Sequence, residues 1–415
     1  MTIPLAEAQT YVLDRISRLD TVTLCVDDCL GLCTSAPLQA EESIPPFDNT
    51  AVDGFALRTS DLAGITRHGS IRLGVEGSIA AGDPPLDLAE PGTVLRIMTG
   101  AVIPGGADAV VKVEDVLVEA ESIVVSRPIA PGENIRQAGS DIIRGSQLFP
   151  TRTVLTPAHL GVLASVGYSR VPVFRRARYG VISTGSELVD DARQLRPGEI
   201  RDSNRHSLKA VLADADVQVV DLGIVADEEG ALTEAFLAAA GELDAIVSSG
   251  GVSVGDFDYT KRVLDHLSGG EMRWMQLAVR PAKPFAFGMV AGVPFFGLPG
   301  NPVSALVSFE LLVRPAIRKM QGWREIFTPE LSAVALDSYP RRRDGNIHFI
   351  RSQLQVRESG DLVVQPLAKQ RPHMLHEMSR SNALIISPDG DGFGKGDRVK
   401  VLQTGPFVST KPRQG

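Results

Sequence analysis

Ala245-Ile246-Val247-Ser248-Ser249-Gly250-Gly251-Val252-Ser253-Val254-Gly255-Asp256 is an apolar run of strand type that breaks into a glycine and serine turn, and a helical pattern resumes from Tyr259 to Leu267. The same grammar recurs where Val293-Pro294-Phe295-Phe296-Gly297-Leu298 meets Pro299-Gly300-Asn301-Pro302 and continues helically from Val303 to Lys319. Upstream, strand-like Tyr179 to Ser183 and Val217 to Leu222 alternate with helical Ser203 to Ala213 and Glu229 to Ala240. Strand, polar turn and helix in that order predict an open, mainly parallel sheet covered on both faces, the α/β class, with a ligand crevice at the strand C-termini.

The turns themselves indicate the ligand chemistry. Glycines let the backbone approach an anion closely, and free N–H groups at helix starts favour negative charge. Asp256 and Asp258 in the same stretch would repel a bare anion unless a cation such as Mg²⁺ lay between. A nucleotide-like ligand with a divalent metal is the expectation. Two more loops fall at equivalent places, Ser183-Thr184-Gly185-Ser186-Glu187-Leu188 and Ile200-Arg201-Asp202-Ser203-Asn204. Asp202 or Ser203 alone reads as a helix cap, but polar loops after several strands of one sheet are what a ligand crevice requires. Val279-Arg280-Pro281-Ala282-Lys283-Pro284 sets two cations on a proline-stiffened chain, which suits an oxyanion or a surface turn equally. Arg351, in strand-like His348-Phe349-Ile350-Arg351, points to the same place or to water.

Outside this unit the pattern changes. The opening residues Leu5, Ala8, Val12, Leu13, Ile16 and Leu19 share a helical face, and Pro157 to Val166 is a second helix of similar character. Between them lie short strands with Gly and Pro punctuation, and beyond Trp323 short strands return, fitting a compact β-barrel. The expected division is 1–48 with 142–176 as an N-terminal mixed domain, 49–141 as an inserted β-rich domain, 177–326 as the α/β domain and 327–415 as the C-terminal barrel.

With 415 residues, 43% of them hydrophobic and 22% charged, the chain exceeds one ordinary core. A net charge of −8 argues against a nucleic-acid surface, and Arg175-Arg176-Ala177-Arg178 and Arg341-Arg342-Arg343 read as solvated faces. No stretch has the length of a membrane span and the start lacks a signal-peptide pattern, so a cytoplasmic protein is expected. Cys25, Cys29 and Cys33 match no zinc or ferredoxin spacing and read as packed, reduced thiols. Histidines are scattered without an HExxH pattern.

Further motifs carry a resemblance. Pro45-Pro46-Phe47-Asp48-Asn49-Thr50-Ala51-Val52-Asp53-Gly54-Phe55-Ala56, Met98-Thr99-Gly100-Ala101, Gly106-Ala107-Asp108-Ala109-Val110-Val111, Ser183 to Leu188, Ser249 to Asp256 and Leu298 to Ala305 occur in the order in which they stand in one family. Over nearly its whole length the chain resembles the MoeA molybdopterin molybdenumtransferases, to which the C-terminal domain of gephyrin and its plant counterpart also belong. The resemblance implies an elongated homodimer of four-domain subunits that takes adenylylated molybdopterin and molybdate, cleaves the phosphoanhydride with Mg²⁺ and releases AMP. It implies that Asp53, Thr99 and Asp141 of one subunit face Glu187, Asp227 and Asp258 of the other, the last three as metal or phosphate-site acids. Thr184, Gly185, Ser186, Asp202, Ser203, Asn204, Ser249, Gly250, Gly251, Ser253, Gly255, Pro299, Gly300, Asn301 and Ser304 would cradle the substrate, and Arg280, Lys283 and Arg351 would hold molybdate. A molybdopterin adenylyltransferase and molybdoenzyme maturation proteins are the implied partners.

The chain departs from the family where two lysines are usual, having Gln276 and Arg280, and where a Gly-Ser pair is usual, having Arg371-Pro372-His373. A tungstate-preferring or altered paralogue, an adenylyltransferase-like activity and a non-enzymatic scaffold are the alternatives.

Overall fold

A computed structural model describes residues 2–65, 69–250 and 259–409. Its central sheet runs in the order Thr2–Ile3, Arg273–Leu277, Pro284–Val290, Val293–Leu298, Ala245–Ser249, Arg178–Thr184 and Gln218–Val225. The last four of these are mutually parallel. Covered on both faces, they carry continuous apolar runs, and neighbouring residues alternate between two cores. Val181, Val247 and Phe296 pack with Leu208, Leu212 and Ile317 on one face. Ile182, Ile246 and Phe295 pack with Leu232, Phe236 and Leu264 on the other.

The expected mainly parallel sheet is observed with one refinement, and two further features depart from the expectation. Pro284–Val290 runs antiparallel to both its neighbours, so the sheet is mixed at one side. The opening segment belongs to the α/β unit: Thr2–Ile3 extends the sheet, and Ala8, Val12 and Ile16 of the first helical region enter its core. The long helix expected from Val303 to Lys319 is Pro302–Ser308, a π-helical turn over Phe309–Val313, and Arg314–Met320. Pro315 has no N–H to give the Leu311 carbonyl, and Gln9 Nε2 donates to that carbonyl instead, at 3.0 Å.

The remaining elements form smaller units. Thr21–Cys25 pairs with Arg170–Phe174 and Leu38–Gln39 with Gln147–Phe149, joining the two flanks of the β-rich region. That region is a sheet with its own core around Phe55, Leu73, Val94 and Val111. In the C-terminal part, Ile347–Val356, Leu362–Pro366, Glu330–Ala335, Arg398–Gln403 and Ala383–Ser387 pair in a closed ring, a five-stranded barrel. The α/β unit adds one short strand to it, because Val279–Arg280 pairs in parallel with Ile347 and His348.

Cys29 and Cys33 are buried free thiols, pushed up by burial to about 11 and about 12, whereas Cys25 is exposed. Two arginines expected on solvated faces are structural instead. Arg175 makes a two-pronged ion pair with Asp244, and Arg341, 3% exposed, bonds Asp344 and Asp389. Among the described residues no helix is long and apolar enough to cross a membrane.

Candidate functional site

Parallel pairing brings the polar turns together at one edge of the sheet. Ser183 and Ser249 are register partners, as are Thr184 and Val225, so the loops carrying Glu187 and Asp227 leave adjacent strands. Gly250, at φ +92°, donates its N–H to the Leu298 carbonyl at 3.2 Å. A Cβ there would lie 2.9 Å from the Thr184 carbonyl, so only glycine allows the three strand ends this approach. Asn204, in the first turn of Ser203–Asp214, donates to Ser249 Oγ and the Gly300 carbonyl, each at 2.7 Å. Among the described residues its Oδ1 and the Ser183 hydroxyl are buried without a protein partner, leaving polar capacity on the crevice floor. Thr184 and Gly185 directly follow Ser183, Asp202 and Ser203 precede Asn204, and Pro299 and Gly300 follow the Leu298 strand end, while Ser186 and Glu187 are exposed. Gly251, Ser253, Gly255 and Asp258 lie outside the described residues.

The crevice is braced by a group that sequence reasoning missed. Arg205 is 3% exposed and pairs with Asp202, Asp190 and Asp221. Asp202 also caps its helix by accepting from the Arg205 N–H at 3.1 Å. Burial opposes charge on Asp221, but Lys209 and Arg205 outweigh it and hold the carboxyl at about 2. The available signal was the arginine three residues after a capping aspartate.

A second concavity of about 470 Å³ adjoins the Gly300-Asn301 turn. Arg280, Lys283, Asn301 and Ser304 line it with Tyr339, His348, Gln370 and Arg371, so the α/β unit and barrel share its walls. Ala282 sits at φ +84°, a left-handed conformation that costs a residue with a side chain on the order of 1–3 kcal/mol. The Leu277 N–H donates to the Lys283 carbonyl at 2.7 Å and holds that turn. Lys283 is exposed and has no ion pair among the described residues, while Arg280 Nε lies 3.1 Å from Asp344.

Arg351 corrects the expectation of an open oxyanion ligand. It is 1% exposed, and its guanidinium donates to the carbonyls of Met374, Lys369 and Arg371 and to Gln370 Oε1. Burial lowers its pKa, and the charges of Glu377 and Tyr339 oppose that shift without overcoming it. Arg351 therefore fastens the 369–374 segment that forms one wall. Pro372 in that segment accepts the Val303 N–H at 3.2 Å, so the departure to proline leaves a backbone acceptor on the helix start.

Asp53 and Thr99 form a third group. The Thr99 N–H and hydroxyl both donate to Asp53, at 2.7 and 2.8 Å, and hold its carboxyl below the usual range. Asp141 is exposed and is fixed by its own N–H donating to the Ile44 carbonyl. Among the described residues no hydrogen bond or ion pair joins these three to the strand-end loops of the same chain. Asp227 accepts from the buried Thr260 hydroxyl at 3.3 Å. Among the described residues no cluster of three or more metal-ligating side chains occurs, and Asp258 of the expected trio is not one of them.

Comparison with known proteins agrees with this architecture. Residues 3–167 match the MoeA N-terminal region (domain I and II), 180–319 the probable molybdopterin binding domain, and 333–404 the MoeA C-terminal region (domain IV). A molybdopterin molybdenumtransferase of Haemophilus influenzae is 40% identical over 92% of this chain and 94% of its own. Molybdopterin molybdenumtransferase 2 of Mycobacterium tuberculosis is 35% identical over 92% and 95%. The crystal structure of a molybdopterin biosynthesis MoeA protein from Pyrococcus horikoshii superposes with a TM-score of 0.81 at 28% identity, covering 98% of this chain and all of that one. The three matched regions, read with the mixed sheet and the closed barrel, place this chain in the MoeA family of molybdopterin molybdenumtransferases.

Proposed function

We propose that this protein inserts molybdenum from molybdate into adenylylated molybdopterin and releases AMP. The observation that carries this reading is the continuity of two unlike surfaces. Asn204 holds the Gly300 carbonyl at the glycine-lined crevice, and the next residue, Asn301, lines the cationic cleft. A Mg²⁺ that neutralises phosphates needs carboxylates whereas a metal oxyanion needs cations, so one reaction on both places acids and bases at separate ends of one groove.

Each end has a chemical task. The crevice turns bind and orient the nucleotide, which matters more for phosphoanhydride cleavage than a strong base does. Glu187, Asp227 and Asp258 would hold Mg²⁺ through hard carboxylate oxygens, and Mg²⁺ when bound would neutralise the phosphate oxygens. Arg280 and Lys283 bind molybdate, and the field of buried Arg351 adds to theirs. A second copy of the chain brings Asp53, Thr99 and Asp141 to this groove, a reading supported by the lack, among the described residues, of any hydrogen bond or ion pair from them to the strand-end loops of their own chain. Cytoplasmic delivery from an adenylyltransferase and onward to molybdoenzyme maturation proteins completes the reading.

The test supplies purified protein with adenylylated molybdopterin, Mg²⁺ and molybdate. AMP release with reconstitution of an apo-molybdoenzyme is expected, and no AMP above a protein-free control defeats the reading. Glu187→Ala and Asp258→Ala lower turnover by about 100-fold or more with unchanged melting. Mixing inactive Asp53→Ala with inactive Glu187→Ala restores activity when the groove spans two subunits, and does not when each chain works alone.

A further inference from the structure

The cationic cleft contains a relay that neither the family match nor the motif series assigns. Arg280 enters the cleft from the α/β unit with its side chain 64% exposed, yet its Nε is 3.1 Å from Asp344 Oδ2 in the barrel. Among the described residues neither of its Nη groups has a protein partner. Asp344 is itself fixed: Arg341 Nη2 and the Asn346 N–H donate to its Oδ1 at 2.7 and 3.1 Å, and His348 Nε2 lies 3.2 Å from its Oδ2. Because a carboxylate only accepts, a neutral His348 ring that bonds Asp344 donates from Nε2, and the Tyr339 hydroxyl lies 3.4 Å from its Nδ1. Tyr339 stacks on Phe393 at 5.9 Å, and a Cβ on Gly392 would fall 1.8 Å from the Tyr339 carbonyl, so this support is closely packed. Arg280 and His348 are register partners across a parallel strand pair that joins the two units.

We propose that Asp344, held by His348, is a positioning residue for Arg280: it grips the guanidinium by its Nε edge so that the two Nη groups are aimed to clamp a tetrahedral oxyanion. This rests on the reading that the cleft receives molybdate. A guanidinium anchored on one edge loses less freedom when the other edge binds, which converts a flexible surface arginine into a preorganised site. Asp344 also carries a negative charge, and its field alone opposes a dianion. The two effects predict opposite signs for Asp344→Asn. Loss of positioning weakens molybdate binding, whereas loss of the opposing field tightens it.

Calorimetric titration of the full chain with molybdate, alongside steady-state kinetics, reads the sign. Asp344→Asn is expected to weaken molybdate binding about 10-fold and His348→Gln about 3-fold, with Asp344→Glu partly restoring it. The effect falls on the molybdate KM and not on the KM for adenylylated molybdopterin. In an Arg280→Ala background Asp344→Asn has no further effect, because Asp344 acts through Arg280. Equal or tighter binding by Asp344→Asn overturns the proposal, as does an undiminished effect in the Arg280→Ala background. Should Asp344→Asn fail to fold, His348→Gln decides, since it leaves the carboxylate in place, and unchanged binding overturns the proposal. If Arg280→Ala weakens molybdate and neither relay variant does, the relay falls and the cleft assignment stands. If neither Arg280→Ala nor Lys283→Ala alters molybdate binding, the cleft assignment falls and the relay with it.

Discussion

Two buried arginines, one at each end of the groove, satisfy their hydrogen bonds in opposite ways. Arg205 is surrounded by the carboxylates of Asp190, Asp202 and Asp221, which cancel its charge as they fix it. Arg351 is held by three backbone carbonyls and a glutamine amide, which fix it and cancel nothing. A carboxylate lends order at the expense of field, and a carbonyl lends order alone. The difference matches what each end must receive. Excess positive charge beneath the crevice would compete with a metal, whereas the oxyanion cleft gains from every uncancelled cation.

The largest effect separates the two arginines by stability. Arg205→Ala strands buried and half-buried carboxylates and should cost roughly 3–5 kcal/mol in urea unfolding. Arg351→Ala leaves neutral carbonyls unpaired and should cost about 1–3 kcal/mol by the same measurement. An equal cost for both would mean that charge compensation is not what distinguishes them. The next effect concerns the field. Arg351→Gln should weaken molybdate binding about 10-fold although Arg351 is enclosed, while Arg205→Lys leaves it within about 2-fold. The reverse ranking would place the oxyanion at the crevice.

Acid sharpens the contrast. Asp221 has a folded value of about 2, below its unfolded value of about 3.9, so its contribution is fully present above pH ~4 and is lost as pH falls through about 2. Amide protection in the first turn of Ser203–Asp214 should therefore fall across that window. The 369–374 segment, gripped by Arg351 through groups that do not titrate, should keep its protection. The smallest effect is remote from both. Gln9→Ala leaves the Leu311 carbonyl of the π-helical turn without its donor and should cost about 1 kcal/mol in the same unfolding measurement.

Much of this was legible in the chain. Ala245 to Ser249 and Val293 to Leu298 appear as buried parallel strands because a strand covered on both faces needs an unbroken apolar run. Ser249, Gly300 and Asn204 converge because parallel strands bring like ends together. Arg273–Leu277 escaped because Arg273 and Gln276 break its apolar run, and the antiparallel place of Pro284–Val290 escaped because pairing partners override local pattern. Arg351 was visible as a candidate, but its role was not, since an arginine in a strand reads the same whether it meets an anion or four protein acceptors.

Sequence alone determined the family, the α/β class and the glycine turns, because these depend on short-range order: apolar periodicity, helix starts and residues that tolerate positive φ. Only the tertiary structure decided which charges stay uncancelled. Asp190 and Asp221 reach Arg205 from separate strands and loops, Asp344 reaches Arg280 from another unit, and Arg351 has no ion pair among the described residues and feels Glu377 only through space. Electrostatic energy depends on separation and on burial through space, and neither is written in the spacing of residues along a chain.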